Sequence, residues 1–110
     1  PMDVENKKVE FENSAYGSIG MESLFGSACR QINLDTLING LTAGPSQVFD
    51  LPMQGIEENM QADLTLFDPD FEYVFKESDI LSKSKNAAFL GKKMKGKAYG
   101  IFANKKLILN

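Results

Sequence analysis

The sequence predicts an α+β chain in which helices precede strands. Two observations carry this expectation. Apolar residues recur at helical spacing between residues 21 and 51, and apolar–polar alternation takes over from residue 62. A third observation bounds it: of 110 residues, 43% are apolar and 25% charged, the balance of a globular chain and not of a disordered one.

Residues 1–20 are polar, carry Gly17 and Gly20 and lack sustained periodicity, which predicts a loop. Met21, Leu24, Phe25, Ala28 and Ile32 then form one apolar stripe of a first helix. Asn33 is the expected N-cap of a second helix, because its side chain can accept a free backbone N–H. Leu34, Leu37, Ile38 and Leu41 repeat the stripe, with Gly40 near its end. Gly44-Pro45 opens a third helix, with Pro45 at the first helical position, where its missing N–H costs nothing. Val48, Phe49 and Leu51 are its expected buried side, and Pro52 stops it.

From Met53 the texture changes. Gly55 and Glu57-Glu58-Asn59 predict a turn. Ala62 to Phe67 alternates as a strand, closed by Asp68-Pro69-Asp70, and Phe71 to Phe75 alternates as another. Residues 84–94 are rich in Gly and Lys and expected to be irregular. Lys97 to Phe102 and Leu107 to Leu109 predict a closing hairpin about Asn104-Lys105. A type I′ turn there needs positive φ at both central residues. Asn tolerates that and Lys suits it poorly, so a longer turn is the alternative. The apolar helix stripes need a partner surface, and so few strands make no robust sheet alone, which predicts the end of a larger architecture. A start at Pro1 and not Met points the same way.

Composition removes several kinds of chemistry. The chain has no His, no Trp and one cysteine, Cys29. Triads and general bases built on His, thiolate zinc clusters and internal disulfides are therefore excluded within it. No apolar run approaches the roughly 20 residues of a membrane span, and no signal-peptide pattern is present, so a cytoplasmic, reducing compartment is expected. Net charge is −3, split as −10 over residues 1–75 and +7 over residues 76–110. The Lys residues of the second part are scattered and no Arg accompanies them, so a solvated face is expected and nucleic acid is not.

Motifs narrow the reading. Ala62-Asp63-Leu64-Thr65-Leu66-Phe67-Asp68-Pro69 resembles the strand that begins the final β segment of amidohydrolases. Ser82-Lys83-Ser84-Lys85-Asn86, followed by Phe89 and Gly91, is similar to a stretch particular to dihydroorotases, and Lys95-Gly96-Lys97 then leads into the last hairpin as it does there. Upstream, Ala15-Tyr16-Gly17-Ser18-Ile19-Gly20-Met21-Glu22 resembles the family's loop after its catalytic Asp, with Glu5 and Lys7 at its acidic-Lys pair. The resemblance runs in order along nearly the whole chain and identifies it with the C-terminal part of a dihydroorotase.

That resemblance implies the last helices of a metal-dependent (β/α)8 barrel, residues 1–52, with a substrate-side loop over 1–20 and helices over about 21–52. It implies the C-terminal part of a small β domain over residues 53–110. The family interconverts N-carbamoyl-aspartate and dihydroorotate in pyrimidine synthesis. Its metal ligands and its Asp would all precede Pro1, so no catalytic and no metal-binding residue is expected here, and zinc is expected only in a full-length active parent. Tyr16 and Gly17 match the family's Phe-Gly pair whose backbone contacts the substrate. Active members place a His where this chain has Met2, and a thioether offers no charged donor to a carboxylate. Two readings follow: part of a dihydroorotase, inactive when isolated, or part of a non-catalytic homologue that supports an aspartate transcarbamoylase. Either way the isolated chain is expected to self-associate through uncovered apolar faces.

The remaining candidates have plainer readings. Glu5, Glu10 and Glu12 are expected to be solvated. Ser14, Ser18 and Ser23 have no His to activate them. Gly17 to Gly20 is followed by no Lys-Ser/Thr and reads as a turn before a helix, not a phosphate loop. Cys29 is expected to be a buried small hydrophobe. Lys83 and Lys85 read as exposed loop charge.

Overall fold

A computed structural model describes residues 5–52 and 55–109. The expectations placed on Pro1, Met2 and Met53 lie outside these residues, and the Lys7 side chain lies outside the described side chains. Helices α1 (Met21–Ala28), α2 (Leu34–Leu41) and α3 (Ala43–Val48) precede strands β1 (Leu64–Val74), β2 (Lys93–Ala103) and β3 (Lys106–Leu109). The strands form an antiparallel sheet in the order β1-β2-β3. The chain is thus α+β.

The start of α2 follows the sequence expectation: the Asn33 side chain accepts from Asp35 N at 2.9 Å. The start of α3 does not. It begins at Ala43 behind Thr42, and Pro45 is its third residue. Nor are Val48, Phe49 and Leu51 buried; they are 78%, 72% and 56% exposed, because no described element covers that face. The stripe assigned to α1 needs a similar correction. Met21 is 83% exposed, Ile32 lies beyond the helix, and the buried positions are Ser23 and Gly26. Small residues face the sheet because α1 crosses β2 closely. A Cβ on Gly26 would lie 3.1 Å from Met94 Cβ and 3.2 Å from the Gly96 carbonyl oxygen.

The segments expected as two strands are one, β1, with an irregularity where the sequence suggested a break. Asp68 pairs with Lys97 and Glu72 with Lys95, so residues 69–71 oppose Gly96 alone. Pro69 is tolerated because β1 is an edge strand and the bulge releases it from the ladder. Asp68 Oδ1 accepts from Asp70 N at 2.9 Å and holds the bend, and Asp70 pairs with Lys95 Nζ at 2.9 Å. The hairpin between β2 and β3 does use a two-residue turn. Asn104 (φ 51°) and Lys105 (φ 60°) both take positive φ, so the I′ form overrides the poor suitability of Lys.

The core is small. Phe75, Ile80 and Met94 are buried together, with Ile19, Tyr73 and Ala87 packed against them. Phe75 extends the β1 pairing past its end, donating to the Lys92 carbonyl at 3.0 Å and accepting from Gly91 N at 2.8 Å. Phe25 of α1 meets Phe67 of β1 edge to face, with ring centroids 5.0 Å apart. Residues 84–92 are irregular, with a turn over 88–91, as their composition predicts, but Lys93 and Met94, expected to be irregular too, open β2, where Met94 is drawn into the core.

Candidate functional site

The loop before α1 is tied to the irregular segment before β2. Ile19 forms a parallel bridge with Ala87 and donates from its N–H to the Asn86 carbonyl at 3.0 Å. The Asn86 side-chain amide donates to the Gly17 carbonyl at 2.9 Å. Gly17 takes φ +99°, a conformation that side-chain-bearing residues rarely adopt. Tyr16 is 88% exposed at the tip. The two positions singled out by resemblance therefore form an exposed rim pinned from behind by Asn86.

Glu22, in the first turn of α1, supplies a second tie. Its Oε1 accepts from both Ser82 N, at 2.9 Å, and the Ser82 hydroxyl. The Ser82 hydroxyl is the main cause holding the Glu22 carboxyl below its usual range, aided by backbone donors and opposed by burial. The other oxygen, Oε2, is buried without a hydrogen-bond partner. Glu22, Tyr73, Ser78, Asp79 and Lys97 contribute to a hollow of about 400 Å³ between α1 and the sheet. A larger hollow, about 660 Å³, lies at the β2–β3 turn and shares no residue with the rim.

Because the folded Glu22 carboxyl is depressed, it stabilises the chain at neutral pH. That contribution is complete above the ordinary value of 4.5 and is lost as pH falls through the lowered one. Glu22→Gln is expected to lower the urea midpoint at about pH 7, with the gap to the parent closing as pH falls below 4.5 and through the lowered value. A pH-independent gap would contradict this.

The other candidates stay apart from the rim. Glu5, Glu10 and Glu12 are exposed, and Glu10 accepts from Asn13 Nδ2 at 3.2 Å. Lys83 is exposed, while Lys85 donates to the Ile80 carbonyl at 2.7 Å and so closes its own loop. Cys29 is half-buried, not fully buried as expected, because it caps the exposed end of α1; burial pushes its thiol upwards. Zinc, which the resemblance implies for a whole enzyme, does not fit this donor set. The chain has no His, and no group of three or more Cys, Asp or Glu able to hold a metal occurs among the described residues. No helix among them is long and apolar enough to cross a membrane.

Glu22, Ser82 and Asn86 were not singled out by composition or periodicity. The signal that could have found them is the pairing of the two motif stretches, residues 15–22 and 82–86, the second of which is polar throughout.

No family model matches the chain. Curated proteins do. A dihydroorotase of Chlorobaculum tepidum is 35% identical over 115 aligned residues, covering 99% of this chain and 26% of the relative. A dihydroorotase of Endomicrobium trichonymphae is 34% identical over 101 residues, 86% of this chain and 24% of the relative. That of Clostridium acetobutylicum is 31% identical over 114 residues, 98% and 27%. The chain spans about a quarter of the length of these relatives.

Proposed function

The chain is a dihydroorotase-like region, and from that premise we propose that it is the C-terminal part of a cyclic amidohydrolase acting on dihydroorotate and N-carbamoyl-aspartate. Its supporting observation is a match that runs through 99% of the chain at 35% identity. On this reading α1 to α3 close a (β/α)8 barrel and the sheet belongs to a small β domain. The whole protein is a cytoplasmic enzyme of pyrimidine synthesis, with zinc held by residues outside this chain.

This chain's part is binding, not bond making. Tyr16 and Gly17 present backbone groups to a cyclic imide, whose own N–H and C=O groups need partners once desolvated. Pinning the rim beforehand removes part of the cost of orienting that ligand. The isolated chain has no His, and its described residues hold no group of three or more Cys, Asp or Glu able to bind a water-activating metal. It is expected to show no zinc-dependent hydrolysis of dihydroorotate in a direct turnover assay. It is also expected to sediment above its 12.2 kDa monomer, since Val48, Phe49 and Leu51 are exposed. Measurable turnover would overturn the division of labour, and a strictly monomeric folded species would overturn the uncovered-face reading.

Met2 favours a second reading, in which the whole protein is a non-catalytic homologue that scaffolds an aspartate transcarbamoylase. A His-x-His motif in polypeptide preceding this chain favours the enzyme, and its loss favours the scaffold.

A further inference from the structure

We propose that Asn86 is a positioning residue for the Tyr16–Gly17 rim, with Glu22 as the second anchor of the same buckle. The inference deepens the reading above and rests on it for the class of ligand, a cyclic imide.

Asn86 grips two peptide groups on either side of Ser18. Its side-chain amide holds the Gly17 carbonyl at 2.9 Å, and its backbone carbonyl holds Ile19 N at 3.0 Å. Glycine reaches φ +99° without penalty but has no intrinsic reason to stay there, since both hands of φ are open to it. The amide bond from Asn86 fixes the plane of the Gly17 carbonyl and thereby selects one of those conformers. Farther along the loop, Glu22 holds Ser82 by its N–H and its hydroxyl. Between these ties Ile19 packs against the Phe75–Ile80–Met94 cluster. The segment from Gly17 to Glu22 is therefore fixed at both ends and supported in the middle, and the rim is its near end. Tyr16, 88% exposed, takes its place from its chain neighbours, Gly17 and an Ala15 whose N–H bonds to the Asn6 carbonyl at 3.1 Å. Asn86 is itself exposed, so its removal opens no cavity in the core.

The test is nuclear magnetic relaxation on the full 110-residue chain, comparing the parent with Asn86→Ala and Asn86→Asp. Asp keeps the shape of Asn and removes the donor. In both variants the amide order parameters of Gly17 and Ser18 are expected to fall from the rigid value of about 0.85 to below about 0.6, with Tyr73, Phe75 and Met94 unchanged. Rigid Gly17 and Ser18 amides in Asn86→Ala would overturn the proposal. So would rigidity retained in Asn86→Asp, or loosening shared equally by the core. Titration with dihydroorotate supplies a second readout. Tyr16 and Gly17 resonances are expected to shift in the parent, with at least tenfold weaker affinity in Asn86→Ala. Equal affinity in the two would also overturn the proposal. A parent that ignores dihydroorotate, with variants loosened as described, would sustain the positioning role and overturn the choice of ligand.

Discussion

Phe75→Ala is expected to leave the chain largely unfolded at room temperature. Phe75 is 1% exposed and stands at the centre of a cluster whose other buried members are Ile80 and Met94. Phe-to-Ala changes in cores cost about 3–5 kcal/mol, against the 5–15 kcal/mol that holds an ordinary domain together. This chain starts from less. Its radius of gyration is 16.7 Å, where a compact chain of this length has about 13 Å, so it shields less apolar surface per residue. The backbone bonds of Phe75 to Gly91 and Lys92 remain available to Ala, so the loss expected is that of the side chain's packing. Urea titration followed by circular dichroism checks the prediction. Phe75→Leu should retain most of the transition, and a shift in Phe75→Ala no larger than in Phe75→Leu would remove this cluster from the centre of the fold.

Gly96→Ala is expected to destabilise by about 2–5 kcal/mol, through two separable causes. Gly96 has φ +89°, where an L side chain is strained, and it faces the residues of β1 that bulge outwards. The added Cβ would also fall 2.7 Å from Cys29 Sγ, 3.1 Å from Cys29 Cβ and 3.2 Å from Phe25 Cε1, inside the contact of α1 with β2. Combining Gly96→Ala with Cys29→Gly removes the nearest obstacle and leaves the backbone strain. A double-mutant cycle should then return a favourable coupling of about 1–3 kcal/mol. Additive losses would show that the helix does not press on this point.

What the sequence made legible was local. The Asn33 cap needs only a side chain and a donor two residues on, and it formed as expected. The place of the final hairpin was legible from its apolar flanks, while its turn type was set by the strand twist and not by the preference of Lys105. Pro69 misled because a proline in a strand forbids pairing only in a sheet interior, and sheet order is not a local property. The α1 stripe misled because the helix meets β2 through Gly26, and a glycine carries no hydrophobic signal. Glu22 and Asn86 were present in the motif stretches, yet their roles depend on partners 60 and 69 residues away. No window along the chain contains both members of either pair.

That separation bears on how the protein is made. A ribosome extrudes Tyr16 and Gly17 long before Asn86, so the nascent loop lacks its Ser82 and Asn86 partners while α1 and α2 emerge. Closing so long a span also forfeits more chain freedom than closing a hairpin, which places its docking late in any refolding reaction. The Tyr16–Gly17 rim is thus a late feature to mature, and a polypeptide terminated before Asn86 would carry the pair without its shape.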